Sequence, residues 1–115
     1  MSKSLIAAIL SGVASLAVLT AAVPASAACF ESGIGCTDDH YISRKALNAL
    51  SCDALWTVRN SIFDENGYCF KTARGKNTFS NEDCFTSDTT MLKLNAYERA
   101  NVARIVEVER KKGCR

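Results

Sequence analysis

Residues 51–63, Ser-Cys-Asp-Ala-Leu-Trp-Thr-Val-Arg-Asn-Ser-Ile-Phe, predict an amphipathic helix that sets the fold class. Ser51 is a favoured N-cap residue, and Asp53 stands in the first turn, where the helix dipole stabilises a carboxylate. At three- and four-residue spacing, one face carries Cys52, Leu55, Trp56, Arg59, Ile62 and Phe63, and the other carries Asp53, Thr57, Asn60 and Asp64. Asn66-Gly67 then predicts the end of the helix.

Shorter helices are expected on either side of this one. Ser43 predicts the cap of a helix that runs to Leu50. A second short helix is predicted over residues 73–79, where Gly75 weakens the signal. Residues 81–94 are rich in turn-forming residues and predict a loop.

The last helix has the clearest signals. Asn95 and Glu98 form a capping-box-like pair, and Gly113 ends a helix that runs to about Lys112. Its inward positions are predicted to be Val102, Ile105 and Val106, and Glu98 and Glu109 lie on the same stripe. Because no stretch alternates with the period of a strand, the sequence predicts an all-α, mainly helical and loop-rich single domain with antiparallel helices.

The chain has 115 residues, enough for one domain, and its 48% hydrophobic content averages two unlike pieces. Residues 1–27 hold 18 hydrophobic residues and one charge, Lys3. A basic start, an apolar run and the small residues Ala25-Ser26-Ala27 predict a secretory signal peptide at 1–27, cleaved after Ala27. We therefore expect an exported protein, in the periplasm or the medium, with no membrane contact after cleavage.

Two alternatives to cleavage after Ala27 stay open. Residues 5–23 are long enough to span a bilayer of about 30 Å as an uncleaved anchor, against which Pro24 and the A-x-A site argue. The other alternative is a lipid on Cys29, against which Ser26 argues, since lipoprotein processing needs an aliphatic residue at that place.

All six cysteines lie in the 88 residues after the signal segment. In an oxidising compartment, an even number at this density predicts three disulfides. There is no C-x-x-C motif, which argues against a thioredoxin-like redox site and against a zinc site. The spacing alone does not choose among the many pairings. Leu, Ile, Val and Phe number only 18 of these 88 residues, so a core this lean needs cross-links.

Without Lys3, the remaining chain carries 13 basic and 12 acidic residues, a net charge of about +1. This balance argues against a nucleic-acid partner, which would need a basic tract. Arg110-Lys111-Lys112 follows Glu107 and Glu109 and is interpreted as a charged helix C-terminus. An anionic envelope polymer is the alternative partner for this cluster.

A longer pattern runs through residues 51–63, Gly67-Tyr68-Cys69-Phe70-Lys71-Thr72, Phe79, Cys84, Tyr97-Glu98-Arg99-Ala100-Asn101-Val102, Ile105, Glu109-Arg110 and Lys112-Gly113-Cys114. This pattern resembles the YARHG domain, a small bacterial extracytoplasmic domain. The chain is thus divided into a signal peptide at 1–27, a lead-in loop and short helix at 28–50, and a YARHG-like domain at 51–115. The resemblance brings no reaction, cofactor or catalytic residue.

The stretch that names the family corresponds to residues 63–67, where Glu65 and Asn66 replace its arginine and histidine. Asparagine tolerates the left-handed conformation near a helix end, which is compatible with a structural stop. The resemblance also implies the disulfide pairing, because antiparallel packing would bring the start of the helix after Ser51 to the end of the last helix. The implied pairs are Cys52 with Cys114, Cys69 with Cys84, and Cys29 with Cys36.

Trp56, Arg59 and Tyr68 are the candidate binding residues. Trp56 offers a stacking surface for a sugar ring, although its place on the apolar helix face favours a core role. Arg59 lies on the same face and needs a partner, because an unpaired buried charge is costly. We expect it to pair with Glu109 or Glu98, and a carboxylate ligand is the alternative.

Asp38-Asp39-His40 groups two carboxylates with the sole histidine of the chain. Such groups serve as metal ligands or as acids and bases, but consecutive residues rarely converge on one point. No nucleophile motif is present, and paired cysteines leave no free thiol. We therefore predict no metal, no cofactor and no catalytic residue, and lean against an enzyme.

These observations predict an exported, non-enzymatic binding or structural component of the bacterial cell envelope. Its expected partner is an envelope polymer or protein. A small cell-wall-directed hydrolase, or an inhibitor of one, is the alternative from another class. A secreted effector or toxin is the third.

Overall fold

A computed structural model describes residues 28–30 and 33–115. The predicted signal peptide, its cleavage after Ala27 and the anchor alternative lie outside the described residues. The elements, in chain order, are β1 (Cys29–Phe30), β2 (Gly35–Cys36), α1 (Arg44–Asn48), α2 (Cys52–Glu65), α3 (Ala73–Thr78), a 3-10 turn (Thr89–Met91) and α4 (Ala96–Lys112). The domain is mainly helical, which confirms the predicted fold class.

Side chains at the predicted caps begin the helices. The hydroxyl of Ser51 accepts a hydrogen bond from the Ala54 N–H at 3.1 Å and so satisfies one of the free donors of the first turn of α2. Asn95 and Glu98 form a complete capping box at the start of α4. Gly113 ends α4 at φ 68°, a left-handed conformation that glycine adopts without steric cost.

The helices α2 and α4 pack against each other in antiparallel orientation. Cys52 at the start of α2 bonds to Cys114 after the end of α4, and Asn66 at the other end of α2 bonds to Glu98 in the first turn of α4. α1 packs against α4 as well. The buried core comprises Ile34, Ile42, Leu47, Leu55, Val58, Ile62, Ile105 and Val108.

A small hairpin covers one part of this core. β1 and β2 pair antiparallel, with Cys29 opposite Cys36 and Phe30 opposite Gly35. Ile34, in the turn of the hairpin, is 2% exposed and belongs to the core. The lead-in segment predicted as an irregular loop therefore contributes buried surface to the domain.

All six cysteines are paired. The disulfides join Cys29 to Cys36, Cys52 to Cys114 and Cys69 to Cys84, the pairing that the family resemblance implied. The first of these bonds engages the sulfur atom that a lipid on Cys29 would require. None of the helices within 28–30 and 33–115 is long and apolar enough to cross a bilayer.

The structure differs from the sequence expectations at several places. α1 ends at Asn48 and α3 at Thr78, each slightly before the predicted end. Asn60, assigned to the polar face of α2, is buried and donates from its side chain to the Trp56 carbonyl at 2.9 Å. In α4 the buried valine is Val108, whereas Val106 is half-buried. The core-facing stripes are thus rotated slightly from the predicted ones.

Candidate functional site

Arg59 has an internal partner. Its Nε and Nη2 donate to the two carboxylate oxygens of Glu109, at 2.7 and 3.1 Å. The two side chains are 23% and 14% exposed, so the pair is shielded from water on most sides. Of the two predicted partners, Glu109 is the one that binds Arg59, and this bidentate pair links α2 to α4.

Glu98 has a different role. Its carboxylate accepts from the Asn66 side chain at 2.7 Å and from the Asn95 backbone N–H at 3.0 Å. Asn66 also donates to the Ile62 carbonyl at 2.7 Å. Asn66 therefore joins the end of α2 to the start of α4.

Two neighbouring carboxyl groups are perturbed at the end of α2. Burial raises the pKa of Asp64 above its usual range. Burial also raises the pKa of Glu65, and the charges of Asp64, Asp38 and Glu98 raise it further. A carboxyl group with a raised pKa is a candidate for acid–base catalysis, although structural contacts alone also produce such shifts.

Trp56 is half-buried between two neighbours. Its ring lies 5.9 Å from the ring of Phe79, and the guanidinium of Arg74 lies 3.8 Å from the Trp56 ring centroid. Arg74 also pairs with Asp53 at 2.9 Å, where the Asp53 side chain is 90% exposed. The arginine thus covers a ring that the sequence proposed as a stacking surface.

Tyr68 belongs to the same row of aromatic side chains. It packs against Phe63 at 5.9 Å and against Phe70 at 4.8 Å, in an edge-to-face arrangement with the latter. Phe70 in turn stacks on Phe79 at 4.8 Å. Trp56 and Tyr68 are therefore connected through a row of rings that packs α3 and the segment before it onto α2.

Asp38-Asp39-His40 does not converge on one point. His40 contacts the Asp39 carboxylate through Nδ1 and the Ile34 carbonyl oxygen through Nε2, both at 2.8 Å. The backbone carbonyl of Asp38 accepts from the Asn95 side chain at 2.9 Å. In the part of the chain that the structure describes, no group of three or more His, Cys, Asp or Glu residues is placed to hold a metal ion.

Sequence reasoning missed an exposed aromatic pair. Tyr41, before α1, and Tyr97, in the first turn of α4, are 52% and 38% exposed, with ring centroids 4.7 Å apart. The guanidinium of Arg104 lies 5.4 Å from the Tyr41 ring centroid, and its Nη1 donates to the Ile42 carbonyl at 2.9 Å. Tyr97 and Arg104 are seven residues apart and so share a helix face, and this spacing can be read from the sequence. Tyr41 lies in an irregular segment, where no periodic pattern in the sequence indicates its position.

Charged residues continue this face towards the end of α4. Glu107 pairs with Arg44 at 2.6 Å and with Lys111 at 3.2 Å. The hydrogen bonds from Arg44 and then from Lys111 hold the pKa of the Glu107 carboxyl below its usual range. We call this set the tyrosine–arginine surface, and it comprises Tyr41, Arg44, Tyr97, Arg104, Glu107 and Lys111.

The fold and its cross-links define a small, disulfide-linked, mainly helical domain of the extracytoplasmic type. Comparison with protein families identifies it further: the model of the YARHG domain matches residues 33–110, well over half of the chain. The chain belongs to the YARHG domain family. Neither a curated protein sequence nor a solved structure matches the chain significantly.

Proposed function

We propose that this protein is an exported, non-enzymatic binding domain of the bacterial cell envelope, which holds its partner on the tyrosine–arginine surface. The exposed pair of Tyr41 and Tyr97 carries the proposal. Burying apolar surface contributes about 25 cal/mol per Å², and rings on residues that are 52% and 38% exposed realise this gain only in part. A partner that covers both rings recovers the remainder.

Two other side chains that could take part in catalysis, Arg59 and His40, are engaged in internal contacts, which favours a binding role over a catalytic one. Arg59 is held by Glu109, and His40 by Asp39 and the Ile34 carbonyl. These contacts stabilise the fold and leave the side chains little freedom to act on a substrate. The tyrosine–arginine surface, by contrast, places exposed rings and cations where a partner can reach them.

A cell-wall hydrolase is the second candidate function, and one observation favours it. Burial raises the pKa values of Asp64 and Glu65, as a general acid would require. Two carboxyl groups at adjacent positions of one helix end, however, cannot face a substrate from both sides, as glycoside hydrolysis requires. Binding therefore remains the better-supported function.

The test combines cosedimentation and turnover on the same material. The full chain is expressed, and the protein with its three disulfides formed is mixed with purified peptidoglycan and with whole envelope fractions. We expect it to sediment with the envelope without releasing soluble fragments. Replacing Tyr41 and Tyr97 by alanine should lower the bound fraction. Phe85→Ala serves as the control, because Phe85 is 61% exposed but lies outside the surface.

Two results would contradict the proposal. One is release of soluble fragments that Asp64→Asn or Glu65→Gln abolishes, which would establish the hydrolase. The other is binding that the double tyrosine variant and Phe85→Ala lower equally, which would place the partner elsewhere.

A further inference from the structure

We infer that the tyrosine–arginine surface recognises a glycan chain that bears carboxylate groups, with Arg104 as the residue that binds the carboxylate. This inference rests on the proposed binding function and specifies its ligand. It draws on three properties of the surface: the arrangement of its rings, the free donors of Arg104 and the sign of its charge.

The two rings favour a sugar. Tyr41 and Tyr97 lie with centroids 4.7 Å apart and planes inclined at 55°, so together they form a fixed corner rather than one mobile side chain. The C–H groups of a pyranose ring carry partial positive charge and pack on the electron-rich faces of aromatic rings. Tyrosine loses little conformational entropy when it binds, and its hydroxyl adds a hydrogen bond to a sugar hydroxyl.

Arg104 supplies the charged contact. Its Nη1 is held by the Ile42 carbonyl at 2.9 Å, and this bond fixes the guanidinium beside the Tyr41 ring. No carboxylate among the described residues lies within 4.0 Å of it, unlike Arg44, Arg59 and Arg74. A guanidinium has five N–H donors in a planar fork that matches a carboxylate. Arg104 is therefore positioned and half-shielded, with donors left for a ligand.

The net charge of the surface is positive. It carries three cations, Arg44, Arg104 and Lys111, and one carboxylate, Glu107, which pairs with Arg44 and Lys111 and leaves Arg104 without an ion pair among the described residues. From Tyr97 to Lys111 the helix rises about 21 Å, since each residue adds about 1.5 Å. A chain of several sugar units fits such a length better than a single small ligand does. The excess positive charge favours an anionic chain.

A membrane surface is the competing anionic partner, and the apolar residues argue against it. Interfacial helices insert large apolar side chains into the lipid boundary. The apolar face of α4 is occupied, because Ile105 and Val108 are 0% and 2% exposed in the core. The exposed large hydrophobic residues on the surface are the two tyrosines, whereas Phe85 and Met91 lie in the loop before α4. The surface therefore offers rings and cations but no aliphatic anchor.

The experiment measures the affinity for polygalacturonate and for the same polymer with its carboxylates methyl-esterified. The probe pair keeps one sugar backbone and removes the charge. We expect the oxidised protein to bind the acid form and to lose most of that affinity on esterification. Arg104→Gln should weaken binding of the acid form by about tenfold or more, because a charge-assisted hydrogen bond is lost. Tyr97→Ala should weaken both forms.

Matched variants separate a lost contact from a lost fold. Arg74→Gln removes another exposed guanidinium that stacks on an aromatic ring, and it should leave the affinity unchanged. Tyr97→Phe keeps the ring and should retain most of the binding. Arg104→Lys keeps the charge without the fork and should bind more weakly than wild type. Thermal melting identifies variants that do not fold. If Arg104→Gln or Tyr97→Ala is among them, the affinity of Arg104→Lys or Tyr97→Phe is compared with that of the wild type instead.

Equal affinity for the acid and esterified polymers would overturn the inference, as would wild-type affinity in Arg104→Gln. Binding to phosphatidylglycerol vesicles without binding to polygalacturonate would identify a lipid partner and also overturn it. Envelope binding that survives Arg104→Gln but is lost with both tyrosines would reject the carboxylate contact and leave the proposed function intact. A different result, the release of soluble fragments from peptidoglycan, would contradict the proposed function itself.

Discussion

The side chain of Asn101 in α4 accepts a hydrogen bond from the backbone N–H of Ile42 at 2.9 Å, across 59 residues of sequence. Its amide nitrogen donates to the carbonyls of Thr37 and His40, each at 2.9 Å. Asn101 is completely buried, and Ile42 and Thr37 are 1% exposed. One asparagine thus satisfies three backbone groups, two of them on the buried residues Ile42 and Thr37, and fixes the lead-in segment to the last helix.

Asn101→Leu should destabilise the domain by about 3 kcal/mol or more, because each buried backbone group left without a partner costs about 1–3 kcal/mol. Asn101→Asp should be nearly as costly, since it replaces the donor that faces two carbonyls by an acceptor. Urea unfolding measures both. Asn77→Ala, at an exposed position of α3, is the control and should change stability little. Equal effects at the two positions would contradict the assigned role.

Arg59 and Glu109 should be strongly coupled in a double-mutant cycle. With Arg59→Met and Glu109→Gln, we expect a coupling free energy of about 1–3 kcal/mol, because the pair is shielded and bidentate. The exposed pair of Arg44 and Glu107 is the comparison and should show a much smaller coupling, since water screens it. The measurement is chemical unfolding of the four proteins of each cycle. Similar couplings in the two cycles would refute the structural role of Arg59.

His40 should make stability depend on pH. The hydrogen bond to Asp39 raises the pKa of the His40 imidazole above 6.5, and the bond to the Ile34 carbonyl raises it further. Both ring nitrogens face acceptors, so the protonated ring, which donates from both, fits best. The folded protein has the higher pKa, so the protonated form of His40 stabilises the fold. This contribution to the free energy of unfolding is complete below pH 6.5 and is lost as pH rises through the folded pKa.

The measurement for His40 is the melting temperature between pH 5 and pH 9, compared with that of His40→Gln. The difference between the two proteins should shrink as pH rises. Asp39→Asn should move the titration to lower pH, since it removes the largest cause of the shift. A constant difference across the range would show that folding does not shift the pKa of His40, and a difference that grows as pH rises would show that the folded protein favours the neutral ring.

The signals that were readable in the sequence are local ones. Ser51, Asn95 with Glu98, and Gly113 define helix ends through bonds to residues within one turn, so the caps of α2 and α4 follow from the sequence alone. Asn101 and Tyr41 depend on partners more than 50 residues away or in an irregular segment. Nothing in their neighbouring residues distinguishes an asparagine that bonds three distant backbone groups from one that faces water.

Asn66 should tolerate histidine better than aspartate. Its amide donates to Glu98 and to the Ile62 carbonyl, so Asn66→Asp removes the donor and places a second carboxylate against Glu98. We expect a loss of about 2 kcal/mol or more at pH 7. The loss should be smaller at pH 4, where protonation of the introduced aspartate relieves its repulsion with Glu98. Asn66→His keeps a donor and should cost less.

Chemical unfolding at the two pH values measures this effect. The exposed Asn77→Asp is the control for adding a negative charge at a helix. A loss for Asn66→Asp that is equal at both pH values would exclude repulsion as its cause and leave only the missing hydrogen bond.

The disulfide between Cys52 and Cys114 should contribute more stability than the one between Cys69 and Cys84. The two bonds close sequence separations of 62 and 15 residues, and the chain-entropy model assigns them about 4 and about 3 kcal/mol. We expect the double serine variant of the longer loop to have the lower unfolding midpoint. Because this bond holds the end of α4 that carries Glu109 against α2, its removal should also weaken the coupling between Arg59 and Glu109. A greater loss from the shorter loop would show that native contacts around Cys69 and Cys84, rather than the entropy of the unfolded chain, determine the contribution.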